Sequence, residues 1–148
     1  MTVTCPYCNA PAVLTDSAEV YHGNSFGMIW LCRPCQAWVG VHKGTDKPLG
    51  RLANKELRDW KMRAHAVFDP IWEAKLRHRR AGGAGKSGRA SGGPSYKKAY
   101  ARGAGYKWLA QQLGIDKKDC HIGMFDVETC KRVVEMCQPI ADKLRRAA

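Results

Sequence analysis

Two short cysteine pairs, Cys5-Pro6-Tyr7-Cys8 and Cys32-Arg33-Pro34-Cys35, lie in the first quarter of the chain with residues 9–31 between them. A Cys-x-x-Cys turn aims two thiolates to one side, half of a tetrahedron, and two such turns close around one zinc ion. The residues between must bring the turns together. Val13-Leu14, Val20-Tyr21, Met28-Ile29-Trp30-Leu31 and Trp38-Val39-Gly40-Val41 are β-prone runs, separated by Thr15-Asp16-Ser17 and Gly23-Asn24-Ser25. The expected unit is therefore a small antiparallel sheet stapled by metal, a zinc ribbon. A redox dithiol would call for a βαβ setting that this pattern lacks. With Cys5, Cys8, Cys32 and Cys35 filling all four positions, one zinc has no site for water, and its role is structural. Tyr7, Trp30 and Trp38 are expected to fill the small core beside it, a stacking platform for bases being the alternative use of these rings. His42 could substitute as a ligand, but a complete cysteine set makes it a surface or core-satisfied histidine.

At 148 residues and 45% hydrophobic, the chain has room for one domain or two small ones. No run approaches the roughly 20 apolar residues of a membrane span, and the first cysteine pair arrives before an apolar export signal could form. A cytosolic protein with no membrane partner is expected, which suits reduced thiols. Lys43-Gly44-Thr45-Asp46-Lys47-Pro48-Leu49-Gly50 punctuates the chain, so the ribbon is placed at 1–50. A helical segment at 51–80 follows, with Asn54 as N-cap and Leu57, Trp60, Ala64, Val67 and Phe68 on one face. Pro70 predicts a break or kink, with Asp69 capping a second helix that carries Ile71, Trp72 and Leu76. Residues 81–95 hold six glycines and no large apolar side chain, and read as a flexible linker. The segment 96–148 is helical again: Tyr106, Leu109 and Leu113 share a face, Gly114 ends that helix, and Asp126 caps another. Its stripe of Cys130, Val133, Val134, Cys137, Ile140 and Leu144 meets Pro139, which should kink or interrupt it.

Charge separates the segments further. The chain carries a net +12: residues 1–50 are neutral, 51–105 hold 14 basic and 4 acidic side chains, and 106–148 hold 8 and 6. Lys75, Arg77, Arg79 and Arg80 end a helix, Lys86 and Arg89 lie in the linker, and Lys97, Lys98, Arg102 and Lys107 follow. Tyr96, Tyr100 and Tyr106 are interleaved with them. The helix dipole explains part of such a run, but a net +10 over 55 residues exceeds what capping requires. A cationic surface with aromatics suits phosphate tracking and base stacking with little sequence readout, so DNA or RNA is the expected partner.

Three further patterns carry less. Cys120-His121, Cys130 and Cys137 lack finger spacing, and the last two fall on an apolar stripe where cysteine packs as a small hydrophobe. Gly82-Gly83-Ala84-Gly85-Lys86-Ser87 resembles the end of a phosphate loop, but its first glycine would be Arg80 and no strand precedes it. His65, Asp69 and Glu73 would line one face if the helix ran through Pro70, a conceivable divalent-metal site; capping by Asp69 and pairing of Glu73 with Arg77 is the simpler reading. No catalytic residue is assigned, and the chain is expected not to be an enzyme.

Cys5-Pro-Tyr-Cys8, Pro48-Leu-Gly-Arg-Leu-Ala53, Ala64-His-Ala-Val-Phe-Asp-Pro-Ile-Trp72, Tyr106-Lys-Trp-Leu-Ala110 and Cys120-His-Ile-Gly-Met-Phe-Asp126 together resemble bacteriophage and prophage proteins described as carrying a zinc-finger-containing domain. The resemblance spans nearly all of the chain outside the linker. It implies a phage accessory protein with a structural zinc, acting in the host cytoplasm, and carries over no catalytic residues. His65, Asp69, His121 and Asp126 fall inside these motifs.

The expected fold is α+β: an N-terminal four-cysteine ribbon and a mainly helical remainder. Nucleic-acid binding through the polybasic region leads the functional reading. A module that docks on a host protein is the alternative, and a metal-dependent nuclease the third.

Overall fold

A computed structural model describes residues 1–83 and 92–147. Three strands form one antiparallel sheet in the order β1 (Val13–Asp16), β2 (Met28–Cys32), β3 (Ala37–Gly40). Leu31 is the centre of the register, opposite Val13 on one side and Trp38 on the other. Three helices follow: α1 (Lys55–Arg80), α2 (Lys98–Leu113) and α3 (Val127–Ala147). The architecture is α+β, as the sequence pattern implies.

The run Val20-Tyr21 is not a strand. Asp16 accepts a hydrogen bond from the Ala18 N–H at 2.8 Å, and the N–H groups of Val20 and Tyr21 both turn back to the Ser17 carbonyl. Two β-prone residues cannot outweigh an aspartate positioned to cap a 3-10 turn, and residues 17–19 form one. Ser17 is itself buried, its Oγ accepting from the Phe26 N–H at 2.7 Å, which pins the β1–β2 connection.

Helix α1 runs unbroken through Pro70, correcting both the expected break and the capping role of Asp69. Proline deletes the bond to the Ala66 carbonyl, at a cost of about 3 kcal/mol in an interior turn. Ala66 is exposed, so its carbonyl is not left buried without a partner. Val67 and Phe68 before the proline and Trp72 and Leu76 after it are all buried, and each contributes about 1.5–3 kcal/mol. Burial wins. Helix α3 likewise continues through Pro139, where Pro139 and Glu135 are both exposed and Cys137 and Ala141 are buried.

The local caps fall where their residue types place them. Asn54 Oδ1 accepts from the Leu57 N–H at 3.0 Å, and Asp126 Oδ1 from the Thr129 N–H at 2.8 Å. Gly114 ends α2 at φ +70°, a left-handed position that glycine adopts without strain.

Two cores result. Cys5, Ala12, Trp30, Cys32, Ala37 and Leu52 make the smaller one, beneath the sheet. The larger joins all three helices around Phe68, Leu109, Ile122 and Val133. Helices before and after the glycine-rich stretch thus share one interior. Of residues 81–95, those from 84 to 91 lie outside the described residues; on either side the chain is tied to the end of α1, Gly83 N–H to His78 O at 2.9 Å and Gly93 N–H to Arg79 O at 2.7 Å.

The sheet is seated on the helices by residues 50–53, which continue past the boundary placed at residue 50. Trp38 and Ala53 exchange both backbone hydrogen bonds, and Leu52 enters the small core while Ala53 enters the large one. The Arg58 guanidinium lies 3.6 Å over the Trp38 ring. At Gly50 the backbone passes so close to Gly123 that a Cβ would collide with the Gly123 carbonyl, the same carbonyl that accepts from Arg51 N–H at 3.1 Å and Lys61 Nζ at 2.7 Å. Gly50→Ala should therefore destabilise the protein by about 1–3 kcal/mol in a denaturant titration, the usual range for forced overpacking. A change below about 0.5 kcal/mol would mean that this contact is slack.

Candidate metal centre and cationic end

The two cysteine turns meet beside the sheet. Each is a tight turn whose second cysteine is followed by a residue in the left-handed region, Asn9 at φ 62° and Gln36 at φ 48°. The turns close differently: Asn9 N–H reaches four residues back to Cys5 O at 2.9 Å, and Gln36 N–H three residues back to Arg33 O at 3.1 Å. Strands β1 and β2 link them, and β2 ends at Cys32 itself. The four sulfurs of Cys5, Cys8, Cys32 and Cys35 lie within 4.8 Å of one another, Cys8 and Cys32 being 3.6 Å apart. A tetrahedron of thiolates at about 2.3 Å from zinc has edges of about 3.8 Å, so the arrangement fits one zinc ion with no position left open.

The electrostatics point the same way. Burial opposes ionisation of Cys5, but the N–H groups of Tyr7 and Cys8 and the thiols of Cys32 and Cys35 bring its pKa below that of a free thiol. Cys35 is pushed up to about 12, first by its hydrogen bond with Cys8 and then by loss of water. Cys5 ionises more readily than a free thiol and Cys32 and Cys35 less readily, so a cation at the centre is what lets the ligands ionise together.

Around this centre, Trp30 is buried and donates Nε1–H to Asp46 O at 2.7 Å. Tyr7 is not a core residue: it is 41% exposed, its hydroxyl accepting from the Asn54 N–H at 3.2 Å. Trp38 is half-buried between Arg58 and Tyr21. His42 is exposed and outside the sulfur cluster.

Among the described residues, the four cysteines are the one group of three or more His, Cys, Asp or Glu side chains that could share an ion. Cys120, Cys130 and Cys137 are buried in the helical core, where desolvation raises each thiol to about 11. They are packing residues. The continuous α1 brings His65 Nδ1 to 3.4 Å from Asp69 Oδ2, and Asp69 Oδ1 accepts from Trp72 Nε1 at 3.0 Å. Burial works against the Asp69 carboxylate, but the bonds from His65 and Trp72 hold its pKa below the ordinary range. Glu73 is exposed and does not join them. Asp126 is the α3 cap, and His121 lies 5.4 Å from the Tyr106 ring.

Most of the cationic residues sit on the last turns of α1 and the first turns of α2, with Lys107 further along α2. The end of α1 and the start of α2 are joined there: Arg80 Nε donates to Tyr96 O at 3.0 Å, and Lys98 Nζ sits 5.6 Å over the Trp72 ring. Arg77, Arg80, Lys97, Lys98, Arg102 and Lys107 are exposed, and Lys75 is half-buried. Among the described residues none of these seven enters an ion pair. Tyr100 is 59% exposed in their midst, 6.0 Å from Tyr96. Two residues depart from the expected surface. Arg79 is 7% exposed, with its guanidinium 4.9 Å over the Tyr96 ring, and serves packing; Tyr106 is buried against Phe68. Lys86 and Arg89 lie outside the described residues.

Sequence reasoning missed one group. Residues 106–148 carry a net +2 and give no charge signal, yet the fold brings Lys117, Lys118 and His121 beside Arg102 around a cavity. No helix is long and apolar enough to cross a membrane among the described residues.

A family model described as a zinc-finger-containing domain matches residues 1–83 and 95–140. No curated protein and no solved structure matches the chain.

Proposed function

The chain belongs to the family of zinc-finger-containing domains, and from that premise we propose that it binds nucleic acid, largely without sequence preference, through the cations at the end of α1 and the start of α2. The observation that carries this reading is that Arg77 and Arg80 at the end of α1 and Lys97, Lys98 and Arg102 at the start of α2 are all exposed and free of ion pairs among the described residues, on two helix ends tied by Arg80 to Tyr96 and Lys98 over Trp72. Like charges held on joined helix ends repel one another, and a polyphosphate removes that repulsion by displacing its own counterions. Tyr100 offers an exposed ring for base stacking beside them. The zinc ribbon is the scaffold, and it performs no chemistry. A phage accessory role in the host cytoplasm, DNA or RNA being the partner, completes the proposal.

If about six phosphates are contacted on duplex DNA, the log–log dependence of affinity on salt has a slope near −5. Alanine at Arg77, Arg80, Lys97 and Lys98 together should flatten that slope by about 3–4 and weaken binding uniformly across sequences. Fluorescence anisotropy with the zinc-loaded chain reads both. No binding at low salt, or the same slope in the variant, contradicts the proposal.

One observation favours a second reading. Tyr21, Met28, Leu49 and the 77%-exposed Phe26 surround a cavity of about 740 Å³ on the ribbon, a surface suited to a host protein. Under the nucleic-acid reading, Phe26→Ser and Leu49→Ser leave oligonucleotide affinity unchanged; under the second, they abolish capture of the partner.

A further inference from the structure

Where α2 meets the 3-10 turn at Lys117–Asp119, the surface holds a cavity of about 470 Å³. Arg102, Gly103 and the buried Tyr106 line it from α2, and Lys117, Lys118 and His121 from the segment that follows. The two acids of the same turn, Asp116 and Asp119, are not part of its lining. Arg102, Lys117 and Lys118 have no ion-pair partner among the described residues. The Tyr106 ring positions the group: Arg102 stands 5.3 Å over it, and the His121 ring is 5.4 Å from it. Asp69 is near enough to act on Arg102 and Tyr106, but Arg102, Lys117 and Lys118 around one hollow still outnumber it; an anion with several oxygens compensates the surplus, and Tyr106 and Gly103 accept the flat or apolar remainder of the same ligand. Gly103 keeps the hollow open, since a Cβ there would meet nothing within 4 Å.

We infer that this cavity binds the terminal nucleotide of a nucleic-acid strand, with its phosphate monoester held by Arg102, Lys117 and Lys118 and its base or sugar against Tyr106 and His121. The inference rests on the nucleic-acid reading for the source of the ligand, because Arg102 belongs to both surfaces. A terminal phosphate brings a second negative charge that an internal phosphodiester lacks.

The test compares single-stranded oligonucleotides that end in phosphate, at the 5′ or the 3′ end, with the same strands ending in hydroxyl, using the full zinc-loaded chain. One phosphate-ended strand should bind about tenfold tighter, the worth of one charge-assisted hydrogen bond. Lys117→Ala with Lys118→Ala should erase that preference while keeping the binding of the hydroxyl-ended strand. Gly103→Phe should do the same without altering charge. Equal affinity of phosphate- and hydroxyl-ended strands overturns the cavity assignment and leaves the surface reading standing. If no strand binds, the surface reading fails, and the cavity is judged alone by NMR. Adenosine 5′-monophosphate, but not adenosine, shifting the amides of Gly103, Lys118 and His121 supports it, and no shift overturns it.

Discussion

Stripping the zinc with a chelator, or replacing Cys32 by serine, should unfold the three-stranded ribbon and leave most of the helical signal in place. The small core comprises Cys5, Ala12, Trp30, Cys32, Ala37 and Leu52, and two of those six are metal ligands. Apolar area on that scale falls short of the entropy of ordering the ribbon. Structural zinc supplies about 10–16 kcal/mol of apparent binding free energy in comparable small domains, so the metal decides whether the sheet exists. The helical core is built from α1, α2 and α3 without any of the four ligands, which is why it should survive. Hydrogen exchange reads the outcome directly: amides of β1, β2 and β3 lose protection on zinc removal, while those of Phe68, Leu109 and Val133 keep it. Acid should act as the chelator does. Zinc holds thiolates, so each ligand released takes up a proton, and falling pH drives the metal out. Ribbon amides that stay protected in fully zinc-free protein would contradict this account.

The second large effect lies at the centre of the other core. Phe68 is fully buried, its ring centroid 4.7 Å from that of Tyr106, and α1 and α2 approach closely beside it. Close approach is enforced by Gly105, where a Cβ would come within 2.9 Å of Trp72 Cβ. Phe68→Ala should cost about 3–5 kcal/mol, because the rigid backbones on both sides cannot collapse into the space left. That is a large share of the 5–15 kcal/mol by which domains are stable. The denaturation midpoint should fall accordingly, whereas Met62→Ala, at an exposed position of the same helix, should shift it little. Zinc content should be unchanged in both variants. A loss below about 1 kcal/mol for Phe68→Ala would mean that the helices are not packed as described.

The features readable in the sequence are those whose physics is local. Two Cys-x-x-Cys turns declare a thiolate site because ligand number and turn geometry are set within four residues. Asn54, Gly114 and Asp126 mark helix ends because a cap involves only its own first or last turn. What escaped the sequence depends on contacts made elsewhere. Pro70 and Asp69 read as a helix boundary until the burial of Val67, Phe68, Trp72 and Leu76 is weighed against one missing hydrogen bond. Val20-Tyr21 reads as a strand until Asp16 is found capping a turn ahead of it. Arg79 is indistinguishable in sequence from Arg77 and Arg80, and only the helical phase and the position of Tyr96 make it a packing residue. The hollow beside Arg102 was invisible for a related reason: Lys117, Lys118 and His121 lie in a segment whose charges nearly balance, and the fold alone collects them.

The claim that organises these observations is that a polyphosphate lies along the exposed cations at the junction of α1 and α2, while the zinc ribbon serves as scaffold. Photo-crosslinking of a bound single-stranded oligonucleotide, mapped by mass spectrometry, locates the strand on the folded chain. The account predicts crosslinks at Tyr100 and within the peptides that contain Arg77, Arg80, Lys97 and Lys98. Crosslinks confined to Tyr21, Phe26 and Trp38 on the ribbon, or none in protein carrying one zinc per chain, would contradict it.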